Sequence, residues 1–99
     1  MEKTYQVVQN TEKKRFEIEL DGKFAFTEYT TTPKGMIVYT HTEVPQEMEG
    51  KGIGSTLAKH VLDYARQEKM TVLPLCPFVA GYIRRHPEYA DLVLEGFKY

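Results

Sequence analysis

The chain has 99 residues, 41% of them hydrophobic, enough for one compact core and too few for two, so residues 1–99 are expected to form a single domain. Charged residues make up 27% and nearly cancel to a net charge of -1, which excludes a global basic field for nucleic acid or an anionic membrane and makes any anion site local. No apolar run approaches the roughly 20 residues of a bilayer span, the opening MEKTYQ lacks the apolar centre of a secretion signal, and the lone Cys76 can make neither an internal disulfide nor a paired-cysteine metal site, so a cytoplasmic chain without a metal is expected.

The first half alternates with a period of two. Tyr5, Val7 and Gln9 face one way on a first strand, Thr11 to Lys14 make a polar turn, and Phe16, Ile18 and Leu20 mark a second strand. Asp21-Gly22 suits a type I′ hairpin turn, in which both central residues need positive φ, and Lys23 to Tyr29 continue as a third strand. Thr32-Pro33-Lys34-Gly35 turns the chain again into a fourth strand, Met36 to Val44, which Pro45 ends by withholding a backbone donor. The period then changes. Ile53, Leu57, Ala58, Val61, Leu62 and Ala65 form an apolar stripe at spacings of three and four, which predicts an amphipathic helix ending near Lys69. Thr71 to Leu75 read as a short strand returning parallel to the fourth in a right-handed β-α-β crossover. Pro77 suits the first turn of a second helix, Phe78 to Arg85, with a further helical piece from Pro87 to Asp91. The expected fold is α+β: an antiparallel four-stranded meander, a β-α-β unit and a C-terminal helix.

Between the fourth strand and the long helix stands Glu49-Gly50-Lys51-Gly52-Ile53-Gly54-Ser55. A helix start leaves several N–H groups without partners, usually met in part by a Ser, Thr, Asp or Asn cap. Here glycine takes the cap positions. Two readings follow: a cradle for a phosphate or pyrophosphate at the positive end of the helix dipole, or a tight turn packed against the sheet. Other phosphate loops fail on spacing. A Walker loop needs Gly-Lys-Ser/Thr after four intervening residues, but Lys51 is followed by Gly52. A dinucleotide fingerprint needs a larger doubly wound sheet than the remaining chain can supply.

The spacing Glu49-Gly50-Lys51-Gly52-Ile53-Gly54 resembles the GNAT superfamily of acetyl-CoA-dependent N-acetyltransferases, whose signature Gln/Arg-x-x-Gly-x-Gly/Ala lies on the turn from the fourth strand to its helix. The match holds at both glycine positions and departs at Glu49, a carboxylate where the superfamily places Arg or Gln. His41-Thr42-Glu43-Val44-Pro45, Leu73-Pro74-Leu75-Cys76-Pro77-Phe78-Val79 and Arg85-His86-Pro87-Glu88-Tyr89 extend the likeness to compact single-domain GNAT-like proteins. The resemblance implies transfer of acetyl from acetyl-CoA to an amine. It also implies that His41, Thr42, Glu43 and Val44 line the coenzyme arm, while Gly50, Lys51, Gly52, Ile53, Gly54 and Ser55 hold its phosphates. Full-length members carry one or two helices between the first two strands to shape the acceptor pocket. This chain has only Asn10 to Lys14 there, so an open acceptor face and a protein or peptide amine as acceptor are expected. The alternative is a coenzyme A or acyl-CoA binding sensor or interaction module without turnover, and the oligomeric expectation is a monomer or weak homodimer.

Cys76 follows the fifth strand and precedes Pro77, which places it at the N-cap of the second helix, where a helix dipole favours a thiolate. It reads either as an acetyl-accepting nucleophile near the thioester or as a small packed hydrophobe. His41 and Glu43 stand two apart and so share one face of their strand. Either is a candidate general base, a carboxylate only when burial raises its proton affinity, and the alternative is a structural pair. Phe78, Tyr82 and Arg85 complete the candidate coenzyme contacts. The resemblance lets Tyr82 protonate the leaving thiolate, against a packing role. Arg84, Arg85 and His86 form a basic cluster that suits the coenzyme's ribose phosphate or complements the helix dipole. His60, without companions at ligand spacing, is no metal candidate.

Overall fold

The computed structural model describes residues 5–99; the first four residues of the polar opening, on which the reading against a secretion signal partly rests, lie outside the described residues. Strands β1 (Val8–Asn10), β2 (Arg15–Leu20), β3 (Lys23–Thr31), β4 (Met36–Glu43) and β5 (Thr71–Pro74) form one sheet in the order β1-β2-β3-β4-β5. The first four run antiparallel and β5 runs parallel to β4. Helix α1 (Ile53–Gln67) connects β4 to β5, and α2 (Pro77–Arg85) follows β5, giving the expected meander and β-α-β unit. Asp21 and Gly22 both take positive φ, 53° and 80°, as a type I′ turn demands.

β3 runs on to Thr31, β4 and β5 stop one residue early at Glu43 and Pro74, and α1 ends at Gln67; three further details differ from the sequence reading. β1 begins only at Val8, because Tyr5 and Val7 pack against the core ahead of the ladder and the Tyr5 hydroxyl donates to the Lys51 carbonyl at 3.0 Å. A 3₁₀ turn, Gln46–Met48, stands between β4 and the glycines and buries Met48. The last helical piece is also 3₁₀ and extends to Leu92, after which Val93 pairs with Val72 in a single parallel bridge.

The core is the layer between the sheet and the helices. Phe16, Ile18, Ala25, Ile37 and Tyr39 meet Leu57, Val61, Leu62 and Ala65 of α1, and α2 adds Val79 and Ile83. Each fully buried Val, Leu, Ile or Phe among them stabilises the fold by about 1.5–3 kcal/mol. Tyr39 is fully buried, and its hydroxyl donates to the Val61 carbonyl at 2.5 Å, which fixes α1 on β4. Burial above all pushes this phenol well above its ordinary range, so it remains a donor.

A bulge in β4 positions the site. Glu28 pairs with His41 and Tyr29 with Tyr39, so Thr40 has no residue opposite. The strand bends there and its alternation slips by one. Thr42 therefore joins Tyr39 on the face toward the helices, while His41 and Glu43 lie on the other face with Phe26 and Glu28. Among the described residues that second face carries no helix, and Phe24 on it is 40% exposed.

Candidate functional site

The glycine turn is held from below by buried Met48 and from the side by Tyr5. Gly50 and Gly52 adopt φ of 80° and 74°, the left-handed region that favours glycine. Gly52 is the N-cap of α1 and offers no side chain; its carbonyl accepts from the amide of Thr56 at 3.0 Å and from the Thr56 hydroxyl at 2.9 Å. The amides of Ile53, Gly54 and Ser55 meet no protein acceptor among the described residues, and the first turn holds no acidic side chain. Gly50, Gly52, Ile53, Gly54 and Ser55 line a cavity of about 200 Å³, with Val44 on its wall. Lys51 does not line it, whereas the exposed Glu49 does.

A second cavity, of about 600 Å³, opens where the sheet splays. β5 pairs with β4 only from Met36 to Tyr39, and the Cys76 amide donates the last bond across, to the Tyr39 carbonyl at 2.9 Å. Beyond it, β4 has no strand partner on this side from His41 to Glu43. His41, Thr42, Cys76, Gly81, Arg84 and Arg85 line this cavity. Phe78 lines both cavities: its ring, at the start of α2, rests on Gly54, where a Cβ would overlap it.

Cys76 is the N-cap of α2 and is 2% exposed. Its thiol does not cap the helix. It donates to the Thr42 hydroxyl at 3.1 Å, and that hydroxyl meets the fully buried Thr27 hydroxyl at 3.0 Å. His41 Nε2 and Glu43 Oε1 stand 3.6 Å apart on one face, but the Glu43 side chain is 61% exposed, so the burial that a base role requires of a carboxylate is missing, and it does not line the cavity. Tyr82 is placed elsewhere. Its ring stacks on His86 at 4.1 Å and is buried, which pushes its hydroxyl above the ordinary range, and it lines neither of the two cavities. Arg85 lies in the larger cavity and not beside the glycines.

Three cavity-lining residues, Met48, Pro77 and Gly81, escaped the sequence reading as site residues, whereas Arg84 was read there with Arg85 and does line the larger cavity. Gly81 carried a usable signal, since glycine inside a helix costs about 1 kcal/mol relative to alanine and calls for a packing or functional reason. Among the described residues no group of three His, Cys, Asp or Glu side chains could hold a metal ion.

Comparison with known proteins bears on this geometry. The family model described as GCN5-related N-acetyl-transferase matches residues 15–92. Protein NATD1 of Gallus gallus is 30% identical over 84 residues, which cover 83% of this chain and 76% of the relative. Protein NATD1 of Homo sapiens is 30% identical over 77 residues, covering 76% of this chain and 68% of the relative. The solution structure of a GCN5-like protein from Staphylococcus aureus superposes with a TM-score of 0.73 at 26% identity, covering 96% of this chain and 92% of that one.

Proposed function

Because the chain belongs to the GCN5-related N-acetyltransferase family, we propose that it binds acetyl-CoA and catalyses transfer of the acetyl group to an amine. The observation that carries this reading is the row of unmet amides at the head of α1, next to the free edge of β4. The residues present fit the coenzyme. Glycine amides and the α1 dipole suit its diphosphate, and the edge of His41 to Glu43 on the β5 side, which has no strand partner, suits an amide-bearing arm laid down as an added strand. Bound there, the coenzyme supplies an acetyl group activated as a thioester.

His41 is the candidate base. It stands on the uncovered face of the sheet and on the wall of the larger cavity, where it takes the proton of an incoming amine. Glu43, 3.6 Å away, steadies the cation that results. With no helix over that face among the described residues, an amine on a protein or peptide can approach it. Among these residues no helix is long and apolar enough to cross a membrane. We take the protein to act in the cytoplasm, as a monomer or weak homodimer.

A second reading is coenzyme binding without turnover; the burial of the Cys76 thiol and its engagement with Thr42 count against an acetyl-cysteine step and leave His41 to carry any turnover. One experiment separates the two. Saturating acetyl-CoA is expected to shift the amide signals of residues 50–55, and adding amines is expected to release free thiol. His41→Ala should lower turnover by roughly 10²- to 10⁴-fold without loss of binding. Amide shifts without thiol release for any amine leave only the binding module, and unmoved amides refute both. Full turnover in Cys76→Ala would rule out an obligatory acetyl-cysteine.

A further inference from the structure

We propose that Arg84 and Arg85 form a two-armed seat for a phosphate monoester in the larger cavity. Both guanidinium groups converge on one point. Arg85 Nη1 lies 3.5 Å and Arg84 Nη2 3.6 Å from where a Cβ on Gly81 would stand. Neither arginine pairs with a carboxylate among the described residues, although this chain pairs Arg15, Lys23, Lys59 and Arg66 with acids. Two like charges folded back onto the same spot repel each other unless an anion joins them.

Helical side chains lean back over the preceding turn, which carries positions 84 and 85 over Gly81, but neither that lean nor the helix dipole supplies a partner anion for the two cations held there. The guanidinium groups reach back over Gly81, one turn from the helix end, and the terminal carbonyls of Tyr82 and Ile83 are already taken by the His86 amide at 2.9 and 3.1 Å. Glycine at position 81 weakens the helix relative to alanine, yet it leaves open the space between the two arms. Planar guanidinium forks match phosphate oxygens in pairs, and two of them match the double charge of a monoester. Such a group has two sources: the ribose phosphate of coenzyme A, in which case the seat rests on the coenzyme reading above, or a phosphate carried by the acceptor.

The test begins with inorganic phosphate and the free protein, read on the side-chain Nε signals of Arg84 and Arg85. Both are expected to shift along one saturation curve. The combined Arg84→Gln and Arg85→Gln variant, altered only at exposed side chains, should melt as the parent does and bind phosphate at least about tenfold more weakly. Gly81→Ala should raise the melting temperature through helix propensity while weakening phosphate binding several-fold, opposite signs that a merely structural glycine would not give. Unmoved arginine signals, or phosphate affinity untouched in both variants, overturn the seat.

The source is read by comparing coenzyme A with its 3′-dephospho form. A preference of about tenfold or more for the phosphorylated form that vanishes in the double variant assigns the ribose phosphate. Equal binding of the two, with phosphate still moving the arginine signals of coenzyme-saturated protein, assigns the acceptor. If neither coenzyme form binds and phosphate does, the coenzyme reading fails while the seat stands.

Discussion

Alanine at position 54 has two opposing effects, and the surrounding residues decide which prevails. Gly50 and Gly52 are needed for their positive φ, but Gly54 has ordinary helical backbone, and what it supplies is room for the Phe78 ring. Replacing it with alanine improves helix propensity by up to about 1 kcal/mol and forces the ring off its seat. Gly54→Ala should therefore destabilise the parent and stabilise a Phe78→Ala background. Urea unfolding of the four proteins checks the reversal, and equal effects in the two backgrounds would mean the ring does not rest there. The three glycines were legible in the sequence as a group, whereas this division of labour depends on an approach between positions 24 residues apart. Cys76 at the helix cap was also legible, from Pro77. Its bond to Thr42 was not, because unbroken alternation would turn Thr42 away from Tyr39, and only the bulge at Thr40 brings the two to one face.

At the scale of elements, α1 is tied to the C-terminal 3₁₀ turn by side chains that lie off its apolar stripe. Arg66 grips both carboxylate oxygens of Asp91 at 3.0 Å and the Glu88 carbonyl at 2.9 Å. The Tyr89 hydroxyl donates to Asp63 Oδ1 at 2.7 Å, and Lys59 holds the other oxygen at 2.6 Å. Burial pushes the Asp63 carboxyl up, but these two hydrogen bonds outweigh it and hold the group below its usual value. Burial first, and then Asp63, push the Tyr89 phenol up to about 12. A phenol raised in the folded state contributes stability that is intact below its unfolded value, near pH 10, and is lost as pH rises through about 12. Tyr89→Phe should cost about 1–2 kcal/mol at pH 8 through the missing hydrogen bond, and the gap should narrow by pH 11. Denaturant titrations at the two pH values read this, and a gap that stays constant or widens would contradict it. Element types and order followed from period and proline placement, because alternation and the apolar stripe report burial directly. The 3₁₀ turn at Gln46–Met48 did not, since one buried methionine in a polar stretch sets no period.

For the molecule as a whole, β4, α1 and α2 border the two cavities together, so a ligand spanning both can bind only when all three are assembled. Binding should therefore appear as global stability and not as local stiffening. A ligand present at 100 times its dissociation constant adds about 2.7 kcal/mol, and in a chain of roughly this size each kcal/mol moves the melting point by about 4–8 °C. Acetyl-CoA at that ratio should raise it by roughly 10–20 °C. The near-zero net charge, -1, means that anions gain little from the overall field, which was legible from composition alone. Tripolyphosphate at the same concentration reaches the glycine amides and the seat at Arg84 and Arg85 but makes no strand contact with β4, so its shift should be several degrees smaller. A tripolyphosphate shift as large as that of acetyl-CoA would mean that the edge of β4 contributes nothing to binding and that the phosphate contacts act alone.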